Sequence, residues 1–111
     1  MKNILVVGSL NMDFVIEVKS QPRGGETILG KNFLLVPGGK GGNQAYAAGK
    51  LGAKVVMLGA VGNDDIGRQL VENLKSVGVN TEHIQSLSAV GTGKAFITVE
   101  DSGQNSIIVL P

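Results

Sequence analysis

Cysteine is missing from this sequence, which excludes disulfides and thiolate metal sites and suits a cytoplasmic protein, the compartment expected here. Tryptophan is also absent and aromatic residues are scarce at 4%, while 10 lysines and arginines lie scattered among 9 acidic residues for a net charge of +1. Such a surface offers neither base-stacking platforms nor a phosphate-tracking stripe, and no nucleic-acid partner is expected. No apolar run approaches the ~20 residues that a membrane-spanning helix requires. Met1-Lys2-Asn3 leads straight into a short strand-like run without a small-residue cleavage site. A soluble, unexported protein with no membrane partner is therefore expected. His83 is the only histidine, and no serine or aspartate pattern around it suggests a triad, so it reads as a surface residue. No cluster of metal-ligating residues stands out, and no metal site is assigned.

What is abundant is glycine, 17 of the 111 residues. Four of them surround one lysine in Gly38-Gly39-Lys40-Gly41-Gly42-Asn43-Gln44-Ala45, which opens directly into a helical pattern. Residues without a Cβ reach positive φ, expose consecutive N–H groups and let backbone approach a ligand, while the positive end of the helix dipole favours oxygen-rich guests. A small polar molecule fits that description. The run is not a Walker A loop, because no Gly-Lys pair is followed by serine or threonine in the required frame. It is also a poor dinucleotide fingerprint: Gly39, Gly41 and Gln44 supply two of three glycines, and the run does not follow the first buried strand.

The chain is long enough for one modest core. Ile4 to Val7 is a continuous aliphatic run closed by Gly8, the pattern of a strand buried on both faces, and Lys54 to Val61 repeats it. Met12, Phe14, Ile16 and Val18 alternate with Asn11, Asp13, Val15 and Glu17, the period of a half-buried strand. Gln21 to Glu26 reads as a turn, and Thr27 to Val36 as the returning strand. Asn43 to Leu51, stopped by Gly52, predicts one helix. A second is capped by Asn63 or Asp64, carries Asp65 in its first turn, presents Ile66, Leu70, Leu74 and Val77 as an apolar stripe, and stops at Gly78. Arg68, Glu72 and Lys75 form its solvated face. Lys94 to Glu100 and Ser106 to Leu110 flank the polar turn Asp101-Ser102-Gly103-Gln104, a final hairpin. The element order predicts an α/β fold: a short parallel βαβ core holding two strands, residues 1–10 and 38–90, and a separate four-stranded sheet of two hairpins, residues 11–37 and 91–111.

Asn11 and Asp13 lie two apart on a strand and share a face, placing an amide beside a carboxylate. A carboxylate accepts from two hydroxyls while an amide donates and accepts, which suits vicinal hydroxyls of a polyol, although a solvated edge strand has the same spacing. Thr92-Gly93-Lys94-Ala95 reads equally as a strand start or a ligand contact.

Together, Gly8-Ser9-Leu10-Asn11-Met12-Asp13, Gly38 to Ala45, and Val61-Gly62-Asn63-Asp64-Asp65-Ile66-Gly67 resemble the ribokinase (pfkB) family of carbohydrate kinases, along essentially the whole chain. The wording GGKGGNQA is closer to the ribokinase branch than to the fructokinase or adenosine kinase branches. The resemblance implies that Asn11, Asp13, Gly39, Lys40 and Asn43 contact sugar hydroxyls, with Gly38 in the same substrate loop, and that the two hairpins form a lid over the sugar. It also implies lid pairing between subunits, hence a homo-oligomer. Such kinases run to two or three times this length. Their GAGD loop with its general base and anion hole, the ATP pocket and the monovalent-cation site lie in a portion this sequence does not include, so no catalytic residue and no cofactor is assigned to it. ATP, Mg and a monovalent cation are implied for a complete enzyme that phosphorylates the 5-hydroxyl of ribose, and the chain alone is expected to be inactive. Two other readings stand beside this one: a truncated non-catalytic module that self-assembles through lid or sheet edges, and a generic phosphate or nucleotide binder.

Overall fold

Runs rich in valine, isoleucine and leucine pair readily as strands, and residues 3–7 and 54–58 do so in parallel, from Asn3↔Lys54 to Val7↔Leu58. The computed structural model describes residues 3–111; Met1 and Lys2, part of the segment read as lacking an export signal, lie outside the described residues. Its elements run β1 (Asn3–Val7), β2 (Asn11–Val18), β3 (Asn32–Gly38), α1 (Lys40–Lys50), β4 (Lys54–Gly62), α2 (Asp65–Lys75), β5 (Ile84–Leu87), β6 (Gly93–Glu100) and β7 (Asn105–Leu110). An inner parallel sheet has the order β1-β4-β5, and an outer sheet the order β3-β2-β6-β7. At the centre of the outer sheet β2 and β6 run parallel, while β3 and β7 return antiparallel on either side. The fold is thus α/β with a separate mixed sheet built from two hairpins.

The core sits between the helices and one face of the inner sheet. Val6, Val55 and Met57 point toward Leu70 and Leu74 of α2 and Ala45 of α1, all buried. Fully burying side chains such as Leu70 and Leu74 stabilises by roughly 1.5–3 kcal/mol each. The other face is uncovered: Leu5 is 61% and Val7 71% exposed, so β1 is not the doubly buried strand its composition suggests.

Three further boundaries differ from the sequence reading. The inner sheet holds three strands rather than two, because β5 pairs with the end of β4 from Gly59↔Ile84 to Gly62↔Leu87. Its residues Ile84-Gln85-Ser86-Leu87 form a short edge strand without an apolar run. The strand expected over Thr27 to Val36 is β3, from Asn32 to Gly38, since β2 offers it partners only between Glu17 and Asn11. Pro37 stands there on an edge strand, where its missing N–H breaks no ladder. Helix α1 begins at Lys40, ahead of the Asn43 expected, so most of the glycine run is the first turn of the helix itself. The cap of α2 is Asp64, whose side chain accepts from the Gly67 N–H.

Candidate functional site

The chain crosses from the inner to the outer sheet through Gly8, Ser9 and Leu10, and β2 begins at once with Asn11. Asn11 is flanked by Gly38 of β3 on one side and Gly93 of β6 on the other. Both glycines leave room that the polar side chains fill. A Cβ at Gly38 would stand 2.8 Å from each carboxylate oxygen of Asp13, and one at Gly93 would stand 2.5 Å from the Asn11 Oδ1. Asn11 and Asp13 therefore share a face, as the spacing predicts, with the two side chains lying against bare backbone.

Helix α1 docks against the same corner. Gly39 has φ 87° and would, with a Cβ, meet the Ser9 carbonyl at 2.6 Å. Gly39 is the only residue of the run in the left-handed region; Gly41 serves close approach instead, its Cα side lying on Gly8. The Gly42 N–H donates to the Ser9 carbonyl at 3.0 Å, and the Asn43 N–H to the Gly39 carbonyl at 2.9 Å. No side chain caps α1, so the Lys40 and Gly41 N–H groups find no acceptor among the described residues. Contacts thus chain Asp13 to Gly38, Gly39 to the Asn11 N–H, and Asn43 to Gly39. The Lys40 and Asn43 side chains are exposed and unengaged within the described residues.

Two hollows adjoin Leu10. One, of about 380 Å³, lies beyond the carboxyl ends of β1 and β4 and is lined by Gly8, Asn11, Ala60, Gly62, Thr92 and Gly93. That is where ligands enter open parallel sheets. The other, of about 240 Å³, is lined by Gly38, Asn43, Tyr46 and Asn73 between α1 and α2. Burial raises the pKa of Asp13, which accepts no hydrogen bond from any described residue. A desolvated carboxylate without a donor is costly to keep and is relieved by a ligand that brings hydroxyls.

His83 is exposed on the inner sheet's far side, away from this corner. On α2, Arg68 pairs with Asp65 and Lys75 with Glu72 across exposed turns, a solvated face as expected. Among the described residues no three acidic or histidine side chains gather as a metal site, and no helix is long and apolar enough to cross a membrane. Thr92, in the segment whose sequence reads equally as a strand start or a ligand contact, is the one buried polar residue among those described, and its anchoring role is neither of those readings. Its hydroxyl donates to Asp64 Oδ1 at 2.6 Å and accepts from the Gly62 N–H at 2.9 Å. Its own N–H donates to Asp64 Oδ2 at 3.0 Å, and its carbonyl accepts from the Lys94 ammonium. The Thr92 hydroxyl, with the Thr92 and Gly67 N–H groups, holds the Asp64 carboxyl down to about 2. A threonine between two glycines was the available signal.

The profile of the pfkB family carbohydrate kinases matches residues 1–111. The ribokinase of Bacillus subtilis (strain 168) is 46% identical over 110 residues, covering 99% of this chain and 37% of that protein. The ribokinase of Haemophilus influenzae is 44% identical over 108 residues, covering 97% of this chain and 35% of that one. The solved structure of Arabidopsis thaliana ribokinase complexed with ribose and ATP matches with a TM-score of 0.89 at 37% identity, over 96% of this chain and 35% of that one. The chain spans about a third of the length of these relatives. On a match that runs its whole length, and on a glycine-walled Asn–Asp corner facing a helix N-terminus, this chain belongs to the pfkB family of carbohydrate kinases.

Proposed function

We propose that this chain is the N-terminal sugar-recognition part of a ribokinase, a cytoplasmic enzyme that when complete transfers the γ-phosphate of ATP to the 5-hydroxyl of D-ribose. The observation that carries the reading is the Asp13 carboxylate held against Gly38, partly desolvated and without a donor of its own. Asp13 accepts from two sugar hydroxyls. Asn11 donates to one hydroxyl and accepts from another, while Gly38, Gly39, Lys40 and Asn43, beside them where β3 leads into α1, add backbone amides and two exposed side chains. Residues 11–37 and 91–111 act as a lid over residues 1–10 and 38–90, excluding water and orienting the acceptor hydroxyl. The solved ribokinase complexed with ribose and ATP supports both substrate classes for the complete enzyme.

ATP, Mg and a monovalent cation belong to that complete enzyme. Among the described residues no three histidine or acidic side chains gather as a metal site, and the glycine run lacks the Walker frame. No phosphoryl-transfer step is assigned to this chain, and ribose-dependent ATP consumption by the purified 111-residue protein would overturn that assignment. The sugar reading is tested by thermal unfolding with D-ribose, which should raise the melting temperature of the native chain and not of Asp13→Ala. Loss of a hydrogen bond to a charged group is worth about 1.5–3 kcal/mol. Stabilisation by nucleotides alone would refute it.

A second reading concerns assembly. Phe33 on β3 is 55% and Ile108 on β7 71% exposed, and both lie on edge strands of the outer sheet. Apolar edges of this kind recruit further strands. A homo-oligomer follows, and a strictly monomeric mass across micromolar concentrations in sedimentation would exclude it.

A further inference from the structure

The geometry points to Asp64 as a positioning residue for sugar recognition: through Thr92 it anchors the strap that enters β6 and so fixes the glycine wall against which Asn11 lies. This rests on the reading that Asn11 contacts the sugar.

The chain of contact is continuous. Asp64 caps α2 by accepting from the Gly67 N–H at 2.8 Å, and the same carboxylate takes both the N–H and the hydroxyl of Thr92. Thr92 has every polar group engaged, and its neighbour Gly93 stands opposite Asn11 in the parallel β2–β6 pair. There is no slack in this arrangement. A Cβ at Gly62 would lie 2.5 Å from the Thr92 nitrogen, and one at Gly67 would lie 2.3 Å from the Gly62 carbonyl oxygen and 2.9 Å from the Thr92 hydroxyl. The spacing Gly62, Asp64, Gly67 thus does more than start a helix. It makes a seat for Thr92, 28 residues beyond Asp64 along the chain. Capping α2 requires one of the bonds to Asp64; the other two serve only the strap. Lys94 adds to the seat by donating to the Thr92 carbonyl at 3.0 Å.

The test uses the isotope-labelled 111-residue chain, with D-ribose as the titrant. In Asp64→Asn and Thr92→Val, the Asn11 side-chain amide and the Gly93 backbone amide should shift and broaden, and ribose affinity should fall about tenfold, the scale of one or two lost hydrogen bonds. Thr92→Ser, which keeps the hydroxyl, should restore both. Asp65→Asn, one residue away and exposed, weakens α2 without touching the strap and should leave both at their native values. Native Asn11 and Gly93 signals in Thr92→Val, or equal changes in Asp65→Asn, overturn the proposal. If the unaltered chain fails to bind D-ribose, the sugar reading falls, while the Asn11 signals still decide whether Asp64 positions that side chain. Should Thr92→Val not fold, hydrogen exchange in the unaltered chain decides. The Gly62, Gly67 and Thr92 amides should be protected as one group, and exchange at Thr92 as fast as at Gly91 would refute the anchoring.

Discussion

An alanine at position 41, in the first turn of helix α1, would ordinarily strengthen the helix, because glycine within a helix costs up to about 1 kcal/mol relative to alanine. Here the surroundings reverse the sign. A Cβ on Gly41 would stand 2.6 Å from the Gly8 carbonyl carbon, 2.7 Å from its Cα and 2.9 Å from the Ser9 nitrogen. All three are backbone atoms of the β1–β2 connection, so no side-chain rotation relieves the overlap and the helix must lift from the sheet. Overpacking of a filled interior costs about 1–3 kcal/mol, and three backbone clashes place this case at the upper end. Subtracting the propensity gain of ~1 kcal/mol leaves a net loss of about 2 kcal/mol. For a domain of this size that lowers the melting temperature by roughly 8–10 °C. Thermal and urea unfolding of Gly41→Ala, followed by circular dichroism, measures it directly. Gly24→Ala is the control, since a Cβ there meets nothing within 4 Å. A Gly41→Ala protein that melts at or above the native temperature would refute the close-approach account. Because Gly39 and Asn43 ride on the same turn, the response to ribose should weaken in parallel.

Three other outcomes are expected. Asp13→Asn should raise the melting temperature of the ligand-free chain, since burial penalises the charged form, and should abolish the rise with D-ribose; a less stable ligand-free variant would contradict this. Asp64 has its carboxyl depressed from 3.8 to about 2, so its contribution to stability is full above the unfolded value and is lost as pH falls through that window. Urea midpoints measured from about pH 5 to pH 2 should show this acid loss in the native chain, and Asp64→Asn should flatten it while lowering stability at neutral pH. Asp13, shifted the other way, opposes that slope, so the comparison is cleanest in an Asp13→Asn background. Lys31→Ala removes the exposed ion pair with Asp101 at the far end of the outer sheet and should cost less than about 1 kcal/mol in urea unfolding, with the difference vanishing at high salt.

The parts legible in the sequence were those set by local rules. Helix α2 announced itself through the Asp64 cap, the Ile66–Leu70–Leu74 stripe and Gly78, which has φ 80°. The Asn11–Asp13 pair was legible because a strand places alternate residues on one face whatever surrounds it. The start of α1 was hidden, since glycines at 41 and 42 argue against helix until the backbone beneath them is known. Strand β5 was hidden because a short polar edge strand is defined by its neighbour β4 rather than by its own residues. The exposure of Leu5 and Val7 depends on what packs beside them, which composition does not state. The seat of Thr92 in Asp64 joins residues 28 positions apart, and no periodicity encodes it.

The parallel pairing of β2 with β6 has a consequence for how the protein is made. Residues 19–92 separate these strands, and that stretch includes both helices and β4. Pairing so remote in the chain must wait until the intervening segment is ordered, because closing a long loop is unfavourable before other contacts reward it. During synthesis the first hairpin emerges early and stays without its central neighbour until β6 leaves the ribosome. The Asn11–Gly93 corner therefore comes into being only once the segment between β2 and β6 has folded.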